Sequence, residues 1–332
     1  MAVEEAVTQR AARPAGHRGW WPLDLALWTA ASLFALWAAL RLSGWEALFR
    51  WVQLVSFTPY VAAVAPLPAL AALLLRRWGA GAVAAVAALA LAAAVLPRAL
   101  PEDAPAGGPR TLRVLSANLL EGRAGQRALV DLVRAEHADV LTLQEATPDA
   151  ADRLEAAGLL DLLPHRAGGL IRGGTRGSAI YARFPVRELP PIDIGGFGQA
   201  RAMIAVPGGA EVEVTSAHPC APYREALHAC WRDGLRALPG AGGEGTLRVL
   251  AGDFNSTLDH AELRAVIARG YRDAADAVGE GLRATWPYDG RPVPGVALDR
   301  VLADERMAVT AFRVHELPRT DHRAVFAELR LP

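Results

Sequence analysis

Residues 246–255 read Thr246-Leu247-Arg248-Val249-Leu250-Ala251-Gly252-Asp253-Phe254-Asn255. An apolar run of β-type residues meets a Gly-Asp turn signal. The stretch therefore predicts a strand over Thr246–Ala251 that delivers a carboxylate, Asp253, and an amide, Asn255, to its C-terminal tip. The same arrangement recurs along the chain. Thr111–Ala117 predicts a strand followed by Asn118, Asp139–Leu143 one followed by Gln144-Glu145, and Glu211–Ser216 one closed by Ala217-His218. Asp299 opens a strand over Asp299–Ala303, Asp321-His322 follow Thr320, and Ser178–Tyr181 and Arg201–Val206 are further strand candidates. Between the strands lie helical patterns. Gln126–Glu136 carries Leu129, Leu132 and Val133 at helical spacing, and Thr147-Pro148-Asp149 supplies a cap, a first-turn proline and an early acid. Asp259 with Glu262 three residues later marks another helix start by the capping-box pattern. Mixed strands and helices without a repeat indicate an α/β or α+β domain in which sheet packs against helices.

Taken singly, each polar tip has an ordinary explanation as a turn former, a helix-dipole partner or a core histidine. Together and in this order, Asn118, Gln144-Glu145, Gly177-Ser178-Ala179-Ile180, His218, Gly252-Asp253-Phe254-Asn255, Asp299 and Asp321-His322 resemble the endonuclease/exonuclease/phosphatase superfamily over residues 111–331. More loosely, the chain is similar to membrane-anchored bacterial members with three N-terminal spans. The resemblance implies a DNase I-like four-layer sandwich, two packed β-sheets flanked by helices, and hydrolysis of a phosphodiester or phosphomonoester by metal-assisted water attack. It implies that Asp253 orients or deprotonates the water and that Asn255 helps fix that geometry. His218 and His322 would donate hydrogen bonds to the oxygens that gain charge, and Asp299 would hold His322 in one tautomer and favour its protonated form. Glu145, Asn118 and Asp321 form the implied metal set; such oxygen donors suit Mg²⁺, with Mn²⁺ or Ca²⁺ as substitutes. Arg201 is a candidate phosphate contact. Thr320 stands where the family usually has Ser, keeping a hydroxyl. The Gly- and Arg-rich segment Arg166–Arg176 has no counterpart in the motif set and leaves loop-borne substrate recognition open. His17, His137, His165, His228, His260 and His315 lie outside the motifs and read as surface or packing residues. Tyr271, Trp286, Pro287 and Tyr288 either wall the cleft or fill the core.

The 332 residues carry 35 basic groups, every one an arginine, against 35 acids, and 52% are apolar, which excludes a disordered or collagen-like chain. The averages hide a split. Seven of the nine tryptophans precede residue 79, and residues 1–109 hold only 8 arginines and 6 acids. Uncharged runs of 16, 25 and 20 residues lie between Asp24 and Arg41, Arg50 and Arg76, and Arg77 and Arg98. At 1.5 Å per residue three transmembrane helices fit, over about residues 22–41, 52–75 and 79–97. Trp20, Trp21, Trp45, Trp51 and Trp78 stand at their edges. Pro59, Pro66 and Pro68 make the second span a kinked one. Residues 1–100 thus form a membrane region whose partner is the lipid bilayer. Residues 101–110, with three prolines and two glycines in Pro101–Pro109, read as a linker, and residues 111–332 form the catalytic domain.

Arg10, Arg13, Arg18, Arg76 and Arg77 on one side against Arg41, Arg50, Arg98 and Arg110 on the other place the N-terminus in the cytoplasm and the domain on the extracytoplasmic side. Cys220 and Cys230 are close enough in sequence to bridge, and a disulfide persists in an oxidising compartment. Residues 110–332, with 27 arginines and 29 acids, lack the basic excess of a duplex-DNA binder. A generic phosphodiesterase or phosphatase ranks first, an extracellular nuclease second and a lipid-headgroup phosphodiesterase third. The substrate classes are accordingly sugar phosphates, nucleic acid and phospholipid headgroups, and no protein partner is inferable. A membrane-anchored binding protein with lost activity is the non-enzymatic alternative; the retained Glu145, Asp253, Asp299 and Asp321 argue against it. A transporter ranks last, because no charge lies inside the spans.

Overall fold

The computed structural model describes residues 21–243 and 245–332. Arg10, Arg13, Arg18, His17 and Trp20 lie outside the described residues. The N-terminal part forms α1 (Trp21–Ser43), α2 (Phe49–Val55), α3 (Thr58–Val64), α4 (Pro66–Leu74) and α5 (Trp78–Val95), the last extended by a 3₁₀ turn over Leu96–Ala99. Two helices, Trp21–Ser43 and Trp78–Ala99, are long and apolar enough to cross a membrane. The second expected span, 52–75, is broken: α2 and the α3–α4 segment meet at a bend of 60°. Pro59 explains the break. It has no N–H to give the Val55 carbonyl, and its ring collides with that carbonyl in a continuous helix. The freed oxygen is taken by the Thr58 hydroxyl at 2.6 Å, which itself accepts from Trp37 Nε1.

The bundle has two distinct ends. Asp24 and Arg77 pair at 2.8 Å at the end where α1 and α5 begin. At the other end Arg41 and Arg98, from the ends of α1 and the 3₁₀ turn, converge on Asp259 of the catalytic domain. The Pro/Gly stretch after the bundle is neither helix nor strand, as expected, but it is not a loose tether. Glu102 bonds to Ala277 and Arg272, and Gly108 donates to the Leu331 carbonyl.

The domain contains two six-stranded sheets. Its strands are β1 (Thr111–Asn118), β2 (Val140–Gln144), β3 (His165–Gly169), β4 (Ser178–Ala182), β5 (Val186–Ile194), β6 (Phe197–Val206), β7 (Ala210–Ala217), β8 (Leu247–Asp253), β9 (Tyr271–Asp273), β10 (Asp299–Asp304), β11 (Ala308–His315) and β12 (Ala324–Arg330). One sheet runs β11-β12-β1-β2-β4-β3 and the other β5-β6-β7-β8-β10-β9. Alternate residues such as Val114, Ile180, Val214 and Val301 fill the core between them. α6 (Gln126–Ala135) and α7 (Pro148–Ala156) cover the outer face of the first sheet, and α9 (His228–Arg236) and α10 (Ala261–Ile267) that of the second. Two short helices, α8 (Leu159–Leu162) and α11 (Ala274–Ala277), complete the set. This is the expected four-layer, DNase I-like sandwich. Val52 of α2 is fully buried in the outer core of the second sheet, so the N-terminal helices join the domain's packing.

Each sheet contains one parallel pair, β1 with β2 and β7 with β8. Parallel neighbours end at the same edge, so Asn118 and Glu145 emerge together, as do His218 and Asp253. β10 runs antiparallel to β8 with Asp299 opposite Asp253, and β12 starts beside the end of β1. All the predicted tips therefore meet at one rim of the sandwich. Close packing there explains Gly252: a Cβ would run into the Ala217 carbonyl oxygen of the parallel neighbour.

One expected element start is corrected. α10 begins at Ala261, and Asp259 does not cap it. The cap comes from the α1–α2 connection, where the Glu46 carboxylate accepts from the Ala261 and Glu262 amides. Asp259 is held instead by Arg41 and Arg98. Thr147 caps α7 as expected, accepting from the Ala150 amide.

Candidate active site

Asp253 sits at the centre of the rim, buried. Its Oδ1 accepts from the Asn255 amide at 2.8 Å, which fixes the carboxylate by a local turn, and its Oδ2 accepts from Asn118 Nδ2 at 3.1 Å. Asn118 Nδ2 also donates to Glu145 Oε1 at 3.2 Å, while its Oδ1 accepts from the Leu120 amide. Asn118 is therefore a bridge holding two carboxylates side by side, rather than an oxygen facing the cavity. Glu145 Oε2 takes the Glu121 amide at 2.8 Å. Glu145 and Asn255 both have left-handed backbones, with φ of 56° and 47°. That conformation is costly for non-glycine residues, and it concentrates at functional sites.

His322 Nδ1 bonds to Asp299 Oδ2 at 2.9 Å, leaving Nε2 at 3.7 Å from Asp253 Oδ2. His218 Nε2 lies 3.8 Å from the same oxygen and 4.0 Å from Glu145 Oε1. These separations are too long for hydrogen bonds, so both Nε2 atoms face the cavity unspent. Burial opposes charge on His322, but the carboxylates of Asp299, Asp253 and Asp321 outweigh it and push the imidazole up to about 10. Burial also raises Asp299 above the usual carboxylate range. The shared proton rests on His322, which is thus a cationic donor at neutral pH. Thr285 Oγ1 accepts from the Leu298 and Asp299 amides and sets the start of β10.

Asp321 Oδ2 accepts from Trp286 Nε1 at 3.0 Å and pairs with Arg291 at 3.1 Å, whereas its buried Oδ1 accepts no hydrogen bond among the described residues and faces His322 Nε2 at 4.0 Å. A buried, orphaned carboxylate oxygen is costly without a cation or a donor. Asp253, Asp299 and His322 present ligand-type atoms within 4.8 Å of one another. His322 and Asp299 are already bonded to each other; Glu145 and Asp321 lie outside that group, each 4.0 Å from a histidine Nε2, and add oxygens of the type that suits a hard divalent cation.

Two cavities flank this cluster. A cleft of about 1170 Å³ is lined by Asp321, Thr320 and four arginines, Arg123, Arg153, Arg172 and Arg319. A second, of about 570 Å³, holds Glu145, His218, Asp253 and His322 together with Phe197, Trp286 and residues of α2. The Gly/Arg segment reaches both, through Arg172 and Thr175.

The Endonuclease/Exonuclease/phosphatase family model matches residues 115–322. The chain belongs to this family. It is accordingly a hydrolase of phosphate esters. Among solved structures, an endonuclease/exonuclease/phosphatase from Beutenbergia cavernae is 22% identical with a TM-score of 0.53, covering 67% of this chain and 72% of that one. A humanized D. rerio TDP2 is 17% identical, with a TM-score of 0.52 and coverage of 66% and 99%. An AP endonuclease from Archaeoglobus fulgidus is 16% identical, with a TM-score of 0.50 and coverage of 65% and 98%. At these identities the likeness concerns the fold. No curated protein matches the chain.

The structure brings together Asn118, Glu145, His218, Asp253, Asn255, Asp299, Asp321 and His322. Asn255 contributes by its side chain too, donating to the Pro219 carbonyl and tying the Asp253 turn to the His218 turn. Arg201 stands apart: its guanidinium is bound to Glu213 at 2.6 Å, so its charge is neutralised within the second sheet. Cys220 and Cys230 are joined as a disulfide with Cα atoms 5.7 Å apart, fastening the segment after His218 to α9. His260 is a buried packing residue, and His315 pairs with Glu136. Four supporting residues carried no motif: Gln199, whose Oε1 accepts from the His218 amide, Phe197 against the His218 ring, Thr285 and Trp286. Of these only Trp286 had a signal, as an aromatic in a Pro-rich loop near Asp299.

Proposed function

We propose that this chain is a membrane-anchored, divalent-metal-dependent phosphoesterase, with residues 1–100 as anchor, 101–110 as linker and 111–332 as catalytic domain on the extracytoplasmic side. The observation that carries the chemistry is Asp253, bracketed by two unspent histidine donors and backed by the Asp299–His322 pair.

Glu145 and Asp321, with Asp253, are the residues that would hold the cation, and the orphaned Asp321 oxygen supports that fit. When bound, a Mg²⁺ ion supplies Lewis-acid stabilisation of the phosphoryl oxygens. The remaining work belongs to side chains. Asp253, held by the Asn255 amide and by Asn118, orients the attacking water and accepts its proton. His322, protonated beside Asp299, and His218 donate from Nε2 to phosphoryl oxygens as these gain charge. Asp299 keeps His322 oriented with Nε2–H toward the cavity.

Sidedness rests on two supports. Arg76 and Arg77 lie at the bundle end away from the domain, and the Cys220–Cys230 disulfide suits an oxidising compartment. An extracellular nuclease is the second reading, favoured by the arginine-lined cleft beside Asp321.

The test is hydrolysis by the purified full-length protein across sugar phosphates, nucleic acids and phospholipids, with Mg²⁺ and with chelator. Wild type should turn over at least one class only with the metal, and Asp253→Ala should abolish it. Metal-independent turnover, or full activity in Asp253→Ala, would sink the assignment. Protease treatment of intact cells tests sidedness: cleavage within residues 111–332 supports it, and protection refutes it.

A further inference from the structure

The cavity that holds Asp253 and His322 has one wall that does not come from the catalytic domain. Val52, Gln53, Ser56 and Phe57 line it, and they belong to α2 and to the break that follows. This wall is fixed in place. Val52 is buried in the domain's outer core, its carbonyl accepts from His260 Nε2 at 2.8 Å, Gln53 donates to the Pro222 carbonyl at 2.9 Å, and Tyr60 donates to the Gly295 carbonyl at 2.7 Å. The 60° bend turns α2 away from the α3–α4 segment at the bundle's domain-facing end. Leu48 and Leu54 remain exposed on or beside it, and Tyr223 and Val293 are exposed at the cavity.

We propose that the phosphate ester this site hydrolyses is carried by a membrane lipid, whose acyl-bearing side enters along Phe57 and the exposed Tyr223 and Val293 while its phosphate reaches Asp253, His218 and His322. The inference rests on the phosphoesterase reading above and names its substrate class. Three observations favour a lipid over a nucleic acid. The wall is continuous with helices apolar enough to cross a membrane, so the cavity is held next to bilayer lipid. Among the described residues no arginine lines the cavity itself, Arg176 and Arg291 standing over the rings of Phe197 and Trp286, whereas binding of a polyphosphate backbone depends on basic contacts. The volume of about 570 Å³ and the apolar lining suit one small amphipathic group. Asp321 shares the neighbouring cleft with four arginines, which would receive an anionic or polyol headgroup. In the reaction the water oxygen bonds to phosphorus and one P–O ester bond breaks. Asp253 takes one proton from the water as it attacks and returns it, by way of solvent, to the departing alcohol oxygen, and the water's second proton is released from the product phosphate to solvent.

The test uses the full-length protein in nanodiscs of phosphatidylethanolamine, phosphatidylglycerol and phosphatidic acid with Mg²⁺, products of both phases being read by mass spectrometry. The deacylated glycerophosphate esters of the same headgroups and single-stranded DNA serve as soluble comparators. At least one acylated lipid should be cleaved with kcat/KM about tenfold or more above its deacylated counterpart, as burial of only two or three methylenes would give. Phe57→Asp should lower that lipid-to-soluble ratio about tenfold, and Phe57→Leu, which keeps an apolar wall, should hold it. Equal or better turnover of the deacylated esters or of DNA overturns the lipid inference and leaves the phosphoesterase reading standing, provided Asp253→Ala abolishes that turnover. So does a ratio unmoved by Phe57→Asp. Wild-type protein that cleaves none of the lipids likewise overturns the lipid inference, and the wider panel with sugar phosphates decides the phosphoesterase reading separately.

Discussion

Replacing Asp259 by alanine should undo the docking of the N-terminal helical bundle on the catalytic domain. The Asp259 side chain has no exposure, and it accepts from Arg98 Nη1 at 2.8 Å, Arg98 Nη2 at 2.6 Å and Arg41 Nε at 3.0 Å. The two arginine side chains are only 7% and 9% exposed. Alanine leaves two guanidinium groups buried beside each other with no counter-charge. Breaking one buried pair costs about 3–5 kcal/mol, and here one carboxylate serves two cations. Arg98 and Arg41 retain bonds to the Ala94 and Leu258 carbonyls, which keeps the expected loss within that range rather than doubling it. For a domain of this size about 3–5 kcal/mol corresponds to a fall in Tm of about 6–20 °C. Thermal unfolding of the full-length protein in detergent, followed by tryptophan fluorescence and by protease cutting near residues 101–110, reads it. The arginines hold the Asp259 carboxyl below its usual range despite burial. The stabilisation is therefore present above the ordinary carboxylate value and fades as pH falls below about 4. A Tm change under about 2 °C in Asp259→Ala would refute the claim that this junction holds the two parts together.

His260, beside that junction, is held neutral: burial lowers it to about 4, and the Thr257 amide donates to Nδ1 while Nε2–H donates to Val52. Unfolded, the imidazole takes a proton near 6.5, so stability should fall by up to about 3 kcal/mol between pH 6.5 and 4, and His260→Gln should flatten the Tm profile in that window. Asp299→Asn removes the charge that holds the proton on His322; kcat should fall at least about 100-fold with KM little changed, and equal loss in both would argue against a transition-state role. Cys230→Ser should cost about 2–3 kcal/mol by freeing the segment after His218, and a variant as stable as wild type under oxidising conditions would show the bond to be dispensable.

The strands that end in site residues were legible because local signals agreed: β-type runs stop at Asn118, Glu145, His218 and Asp253, and the parallel pairs carry them to one rim. β5 was not legible, since Pro190-Pro191 interrupt its ladder and force the register shift between Leu189 and Ile192 at an edge position. β11, between Asp299 and Asp321-His322, and β12, after the last motif, lacked turn signals strong enough to mark them. The role of Asp259 was misread because its sequence neighbour Glu262 suggests a cap, whereas its partners lie 161 and 218 residues away. Arg201 fails as a phosphate contact for the same reason, since Glu213 meets it only through the β6–β7 pairing. The contribution of Val52 and Phe57 to the catalytic cavity depends on where the Pro59 break aims α2, and periodicity carries no record of that direction.

The central claim is that Glu145, Asp253 and Asp321 converge on one hard cation poised for phosphate-ester hydrolysis. Mn²⁺ titration of the full-length protein, read by electron paramagnetic resonance, addresses it without a known substrate. Wild type should bind Mn²⁺ at a site from which Mg²⁺ competes it off, and Glu145→Ala should weaken that site at least about tenfold while the fold, followed by circular dichroism, is kept. Absence of saturable Mn²⁺ binding in wild type, or binding indifferent to Glu145→Ala, would contradict the account.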